Sequence, residues 1–449
     1  MYFESPITRH AKWVLFFLGL GSATKIYFFG CLAFSEVFVF MAAPFFFVND
    51  FRILKKDGFA VFIALLWASC MVMVFTSVCL YHVPSIIIVK AIAVTYSIFS
   101  YAVVFHRYLR RNLRGLSWFI VGATLSSIIT IFYFNPKAQV SAMGAQNLGM
   151  TEFDVVVNAE LFWVEKIITL LSLPIQIFYY QTPVLYVGIT PLLVAVVTVF
   201  TSGSGRSATL TVVLMAFIVF VGRKSRRTMK GIGRHLISFC IVGLSVVFVF
   251  YKAYKHAAEH GYLSEGATKK YEHQTKSGGG MLALLARGRI EPVVGLMGAI
   301  DRPILGYGAV PIDDGDYYLR ALEEFGDIED INVYKYIAAQ NGGRVMLLQT
   351  HSHIIAGWVQ SGIVGLLFWL YILWLIFDLV RHRMSAIPQW FGYFAVMIPY
   401  YAWHILFSPI GDRRPSIAMF ITTMLIAKAV SKGKLVLPIE MEMEARRND

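Results

Sequence analysis

The sequence predicts an all-α integral membrane protein of about twelve transmembrane helices, with one large, mostly helical extracytoplasmic loop between helices 9 and 10. Three observations point there. Hydrophobic residues make up 57% of the 449 residues and charged residues only 15%, against roughly a quarter in a soluble domain. The mean hydropathy is +0.63. The apolar residues are gathered into blocks separated by short charged loops, and a bilayer core about 30 Å thick takes about 20 helical residues per crossing. A soluble enzyme, a disordered tail protein and a secreted disulfide scaffold are excluded. So is a β-barrel, whose strands would alternate polar and apolar residues.

The blocks lie near 13–29, 31–48, 59–80, 84–105, 116–134, 161–178, 183–200, 208–222, 236–253, 354–377, 389–407 and 416–430. Gly19, Gly21 and Lys25 interrupt the first pair. The first stretch runs on towards Val48 without a small-residue cleavage pattern, so a removable leader is not expected. The four cysteines, Cys31, Cys70, Cys79 and Cys240, lie far apart inside apolar blocks and read as small hydrophobes rather than metal ligands.

The net charge of +13 sits mainly between blocks, which is the positive-inside pattern rather than a nucleic-acid footprint. The basic groups are Arg52/Lys55/Lys56, Arg107/Arg110/Arg111/Arg114, Arg223–Arg234, Arg381/Arg383 and Lys428/Lys432/Lys434. With a cytoplasmic N-terminus, all five fall on the cytoplasmic side, and the C-terminus joins them. The chain then divides into helices 1–9 over residues 1–253, a loop domain over 254–350, helices 10–12 over 351–430 and a cytoplasmic tail over 431–449. The loop domain carries 13 of the 27 acidic residues, which makes it water-facing, and a loop this long is usually functional. Its apolar middle, Met281–Ile300, is expected to lie as an amphipathic helix at the membrane surface behind the hinge Gly278–Gly280.

Three places on that face could carry chemistry. Thr350-His351-Ser352-His353 enters the tenth crossing, which continues to Gly362 and Gly365, one helical turn apart. An imidazole there can act as a general base at neutral pH, or hydrogen-bond headgroups. The glycines permit close helix packing. Thr201–Ser207 offers a small-residue turn around Arg206, and Arg287-Gly288-Arg289 opens a stretch that runs on to Asp301-Arg302-Pro303-Ile304-Leu305-Gly306-Tyr307-Gly308. Arginines and a histidine at one depth on one face suit a lipid-linked anion such as a pyrophosphate headgroup. No Asp-x-Asp pair accompanies them except Asp314 and Asp316, which read as an acidic surface turn, so arginine charge would act where other enzymes use a metal. No metal and no cofactor are expected.

His351-Ser352, nine residues, then Gly362-x-x-Gly365 resembles the signature of the O-antigen ligase family, which includes related polysaccharide polymerases. The stretch from Arg289 to Gly308 and the Ser204-Gly205-Arg206 turn are similar to that family's arginine segments, and the resemblance covers about residues 190–380. Gln360 stands where many members carry glutamate, and Val293 near where many carry tryptophan. The resemblance implies a metal-independent, inverting glycosyltransferase in a bacterial inner membrane, working at its periplasmic face. The donor would be a glycan on undecaprenyl diphosphate, and the acceptor lipid A-core in a ligase or another glycan repeat in a polymerase; membrane lipids would be its other contacts, with no nucleic acid. Arg206 and Arg289 would bind the diphosphate and His351 would be catalytic. His353 and Arg287 are secondary candidates, and Ser352, Gly362 and Gly365 form the structural part of the motif. From another class, a lipid or solute transporter would predict paired halves and mid-membrane charge. The large asymmetric loop and the few mid-block charges, such as Lys90 and Lys166, weigh against it.

Overall fold

A computed structural model describes residues 6–22, 25–27, 31–133, 172–177, 290–325, 352–383, 387–407 and 414–435, with positions 252, 255–257, 259–262, 331, 348 and 350. Over these residues the protein is all-α apart from one small hairpin. In chain order the elements are α1 (Pro6–Leu20), β1 (Lys25–Tyr27), β2 (Cys31–Ala33), α2 (Phe34–Lys56), α3 (Phe59–Cys79), α4 (Ser85–Arg111), α5 (Gly115–Tyr133), α6 (Glu291–Asp301), α7 (Tyr317–Phe325), α8 (His353–Asp378), α9 (Phe391–Phe407) and α10 (Arg414–Ser431). Four segments are long and apolar enough to cross a membrane: Phe34–Lys56, Phe59–Cys79, Ser85–Arg111 and His353–Arg381. Shorter apolar helices run over His10–Leu20, Gly115–Ile129 and Phe391–Phe407.

The elements around the first two blocks differ from expectation. The first apolar stretch ends as a helix at Leu20, where Ser22 Oγ donates to the Gly19 carbonyl at 2.6 Å and closes the turn. A hairpin follows, pairing Lys25 with Ala33 and Tyr27 with Cys31, so the second helix begins at Phe34 rather than at residue 31. Gly19 and Gly122 let α1 and α5 approach backbone to backbone, since a β-carbon at either would meet a carbonyl of the other helix. The basic groups also sit differently. Arg52, Lys55 and Lys56 ride the end of α2, and Arg107, Arg110 and Arg111 the end of α4, instead of lying in loops. Cations are favoured there by the helix dipole. Acidic partners hold two of them: Arg107 pairs with Asp50 at 2.6 Å and Arg110 with Asp57 at 3.2 Å.

Among the described residues α10 is almost wholly buried. Its residues from Ile417 to Ala427 are buried almost without a break, as expected of a helix that is apolar on all sides. It packs on α4, whose stretch from Ser97 to Phe105 is likewise buried. The outer helix α2 shows the reverse pattern. Phe34, Phe38, Met41, Phe45 and Val48 form an exposed apolar stripe at helical spacing, the face a lipid would cover.

One ion pair is sealed inside this bundle. Glu36 is fully buried; Arg414 Nε lies 3.1 Å from Oε1 and its second amino group donates to Oε2 at 3.3 Å. Ser97 Oγ donates to Oε1 at 2.5 Å, and the Ala33 N–H donates to Oε2 at 2.7 Å. The carboxylate is thereby neutralised and its lone pairs filled, which is the condition for keeping it out of water.

The amphipathic helix expected over 281–300 is seen as α6 from Glu291; residues 281–289 lie outside the described residues. Its inner face is Val294, Gly295, Gly298 and Ala299, with Leu296 and Ile300 turned outward. The blocks near 183–200 and 208–222, the loop over 135–160 and most of the blocks near 161–178 and 236–253 also lie outside the described residues.

Candidate functional site

The tenth apolar block is not a straight helix. α8 breaks at Ser361 (φ −128°, ψ 16°) and Gly362 (φ 57°, ψ −149°), and its first arm, 353–360, folds back along its second. The His353 and Trp369 ring centroids are 4.8 Å apart. On a straight helix residues sixteen apart would stand about 24 Å apart. The Gly362 conformation belongs to a region open essentially to glycine alone, and a β-carbon there would run into the Ile304 carbonyl. Gly362 is therefore the reversal itself, not a residue of a helix face one turn before Gly365. Gly365 packs against the Gly357 carbonyl across the two arms, where a side chain would not fit.

Such a break leaves backbone groups without helical partners. A strap running from Arg302 to Ala309, just after α6, supplies them. Tyr307 N–H donates to the Val359 carbonyl at 2.6 Å and Gly308 N–H to the Gln360 carbonyl at 3.1 Å, filling the end of the first arm. Ile363 N–H, at the start of the second arm, donates to the Ile304 carbonyl at 3.3 Å. Trp358 Nε1 donates to the Pro303 carbonyl at 3.0 Å. The other edge of the strap is held by α3: Thr76 Oγ1 donates to the Leu305 carbonyl at 3.1 Å, and Ala309 N–H donates to Ser77 Oγ at 2.8 Å.

Arg302 anchors the strap. Its guanidinium lies 4.5 Å from the Tyr307 ring centre and 5.0 Å from that of Tyr81, and it pairs with Asp314 at 2.5 Å. Tyr307 and Tyr317 share a hydroxyl–hydroxyl bond of 3.1 Å, and Tyr317 donates to Asp301 at 2.7 Å. Burial pushes the Tyr307 phenol well above its ordinary range. Asp313 caps α7, accepting from the N–H groups of Tyr317 (2.7 Å) and Tyr318 (2.9 Å). Burial raises its pKa in spite of those donors. Tyr317 is thus part of the lobe's small core.

The beginning of α8 is fixed as firmly. Ser352 is buried and extended (φ −157°, ψ 131°). Its Oγ accepts from the Ile355 N–H at 3.3 Å and donates to the Ile405 carbonyl, near the end of α9, at 3.1 Å. His353 is buried between the arms against Trp369. Thr350 packs on Gly295 of α6, five residues after Ile290.

Two stretches singled out in the sequence, Ser352–Gly365 and Asp301–Gly308, are therefore in direct contact. His351, Arg206, Arg287 and Arg289 lie outside the described residues. Among the described residues no group of three His, Cys, Asp or Glu side chains is placed to hold a metal ion. Sequence reasoning overlooked Gly357, Trp369, Thr76 and Ser77. Thr76-Ser77, a polar pair closing an apolar block, is the signal that could have pointed to the strap's second edge. Comparison with known proteins finds no matching family model, no matching curated protein and no matching solved structure.

Proposed function

We propose that this membrane protein is a glycosyltransferase that moves a glycan from an undecaprenyl diphosphate carrier to an acceptor hydroxyl. The observation that carries the reading is the strap. The Asp301–Gly308 stretch and the Ser352–Gly365 stretch, two of the segments that carry the family resemblance, share backbone hydrogen bonds at an elbow that only glycine can make. The reading adds about twelve crossings, cytoplasmic termini and an active site on the periplasmic face of a bacterial inner membrane.

The chemistry follows from charge. As the glycosidic bond breaks, negative charge grows on the bridging oxygen of the departing diphosphate. Arg206 and Arg289 meet that charge, and a well-placed donor contributes about 3–4 kcal/mol to such a transition state. His351 takes the proton from the attacking hydroxyl, a contribution of roughly 10²–10⁴-fold in rate. Direct attack by the acceptor inverts the anomeric centre. The carrier's polyprenyl tail needs a lipid-facing groove between helices.

The test is transfer by purified protein in lipid nanodiscs, with a lipid-linked glycan donor and an acceptor, in the absence of any gradient. Product with the native chain and none with His351→Ala supports the reading. Undiminished transfer by His351→Ala removes that residue from the mechanism, and absence of transfer with every acceptor favours a transporter instead. Lipid A-core as the acceptor used marks a ligase, and a second glycan repeat marks a polymerase.

A further inference from the structure

We propose that the joined ends of α8 and α10 bind an acidic glycerophospholipid, with its phosphate on Arg381, Lys428, Lys432 and Lys434 and an acyl chain along the exposed side of α8. The site depends on the membrane reading alone and not on glycosyl transfer. The second arm of α8 places it roughly 22 Å from the elbow and the strap.

Arg383 builds the junction. It follows α8 in a short π-helical turn, Leu379–Arg383. Its Nε and Nη2 donate to the two oxygens of Asp378 at 2.5 and 3.0 Å. Its Nη1 donates to the Lys428 carbonyl at 3.3 Å and to Ser431 Oγ at 2.5 Å, in the last turn of α10. One guanidinium thus ties the two helix ends together and occupies both oxygens of a buried carboxylate. Asp378 is the one acidic residue among the described residues from 352 to 435. Arg383, Lys428, Lys432 and Lys434 all act on one another or on this carboxylate, so four positive charges share one negative charge. A phosphate brought to this end would offset that surplus.

The apolar half of the site is a stripe. Ile363, Leu367, Leu370, Trp374 and Phe377 are exposed, and steps of four, three, four and three residues put them on one side of α8. From Ile363 to Phe377 the stripe runs about 21 Å, more than the roughly 15 Å half-thickness of a bilayer core. It therefore has room for the length of an acyl chain within one leaflet. It ends under cations: Lys428 Nζ lies 4.2 Å from the Trp374 ring centre, and the Arg381 guanidinium 5.8 Å from that of Phe377. Tyr371 stacks on Trp374 at 5.8 Å and steadies it. Tryptophan in this position belongs at headgroup depth. A cation held against a ring face keeps other N–H donors free for a phosphate. A tail track that closes in surplus positive charge complements a negatively headed amphiphile. A neutral lipid or a water-soluble anion matches only half of it.

The experiment titrates the purified chain in neutral detergent with phosphatidylglycerol, counting bound lipid by native mass spectrometry and measuring the melting temperature on the same samples. The native chain should retain phosphatidylglycerol and melt higher with it. Phosphatidylcholine and glycerol 1-phosphate at the same concentration should do neither. Combining Arg381→Gln, Lys428→Gln and Lys432→Gln should weaken phosphatidylglycerol binding by about 100-fold, since each cation at an anionic lipid is worth about fivefold. Combining Arg52→Gln, Lys55→Gln and Lys56→Gln, which strips three exposed cations from the end of α2, should leave binding within about threefold. If the first set fails to accumulate, the exposed pair Lys432→Gln with Lys434→Gln replaces it, with a loss of about 25-fold. Equal losses in the two sets would mean a diffuse basic belt and overturn the proposal. Equal retention of phosphatidylcholine, or equal stabilisation by glycerol 1-phosphate, would overturn it as well. Deleting residues 440–449, which carry Glu440, Glu442 and Glu444, should leave the phosphatidylglycerol effect intact. If that deletion lowers the melting temperature while added phosphatidylglycerol changes nothing, the cations serve the acidic tail and the lipid site is refuted.

Discussion

The carbonyl oxygen of Ile304 occupies the place where a side chain at position 362 would begin, so Gly362 and the strap fit together only while residue 362 is glycine. Gly362→Ala is expected to be far more damaging than an alanine at another glycine of positive φ. At Gly433 (φ +65°) nothing lies within 4 Å of a β-carbon, and only the left-handed backbone penalty of about 1–2 kcal/mol applies. At Gly362 a penalty of about 1–3 kcal/mol for its backbone region is joined by collision with the Ile304 backbone. Thermal melts of the two variants in one detergent check this; equal melting temperatures would mean that the elbow is loosely packed.

The Glu36–Arg414 pair is expected to behave as a unit. Arg414→Met leaves a buried carboxylate uncompensated and should cost about 3–5 kcal/mol. The double change Glu36→Gln with Arg414→Met removes both charges and should recover a large part of that loss. A double-mutant cycle on melting temperature reads the coupling, and additive losses would show that the pair is not coupled.

Arg302→Lys should loosen the strap without unfolding the helices. A lysine keeps the charge for Asp314 but loses the flat guanidinium that lies over Tyr307 and Tyr81. Because Arg302 is 37% exposed, solvent screens the pair, and the loss should be only about 1 kcal/mol. Hydrogen exchange at the Tyr307 and Gly308 amides should quicken while that of α10 stays unchanged.

Stability of the α7 lobe should rise on acidification. Burial raises the Asp313 pKa above its ordinary value of 3.8, so the folded lobe holds this proton more tightly than the unfolded chain does. The sign is therefore opposite to that of a salt-bridged carboxylate: stability is lost as pH rises from that ordinary value through the raised one. Protection of the Tyr317 and Tyr318 amides, corrected for intrinsic exchange, should grow as pH falls through the window and stop growing below it. Asp313→Asn should flatten the dependence.

The helices were legible in the sequence because lipid contact and burial both select apolar residues, so blocks such as 59–80 and 389–407 closely match α3 and α9. What the blocks could not show is which apolar residue faces a neighbour and which faces lipid. Apolar residues dominate both α10 and α2, yet among the described residues one is almost wholly buried and the other carries an exposed stripe. The elbow in α8 was hidden for a different reason. Gln360-Ser361-Gly362 is a polar dip with a poor helix former in it, but it is too short to divide a long apolar block, and the reversal depends on hydrogen bonds from a segment some fifty residues earlier in the chain. Glu36 lies within the block near 31–48 and Arg414 just before the block near 416–430, and neither was singled out in the sequence, because their partnership spans 378 residues and has no local signature. The two motif stretches were each visible; their contact was not.

The fold-back of α8 has a consequence for engineering. The carbonyls of Val359 and Gln360 take their hydrogens from Tyr307 and Gly308. A bare amide group has no remedy in hydrocarbon and costs several kcal/mol. The lobe that carries the strap is consequently not a detachable cover. Excising it, or grafting in a foreign one with another residue at position 306 or 308, should strip the spanning helix of its seat and send the whole chain to membrane quality control instead of yielding a stable but inactive protein.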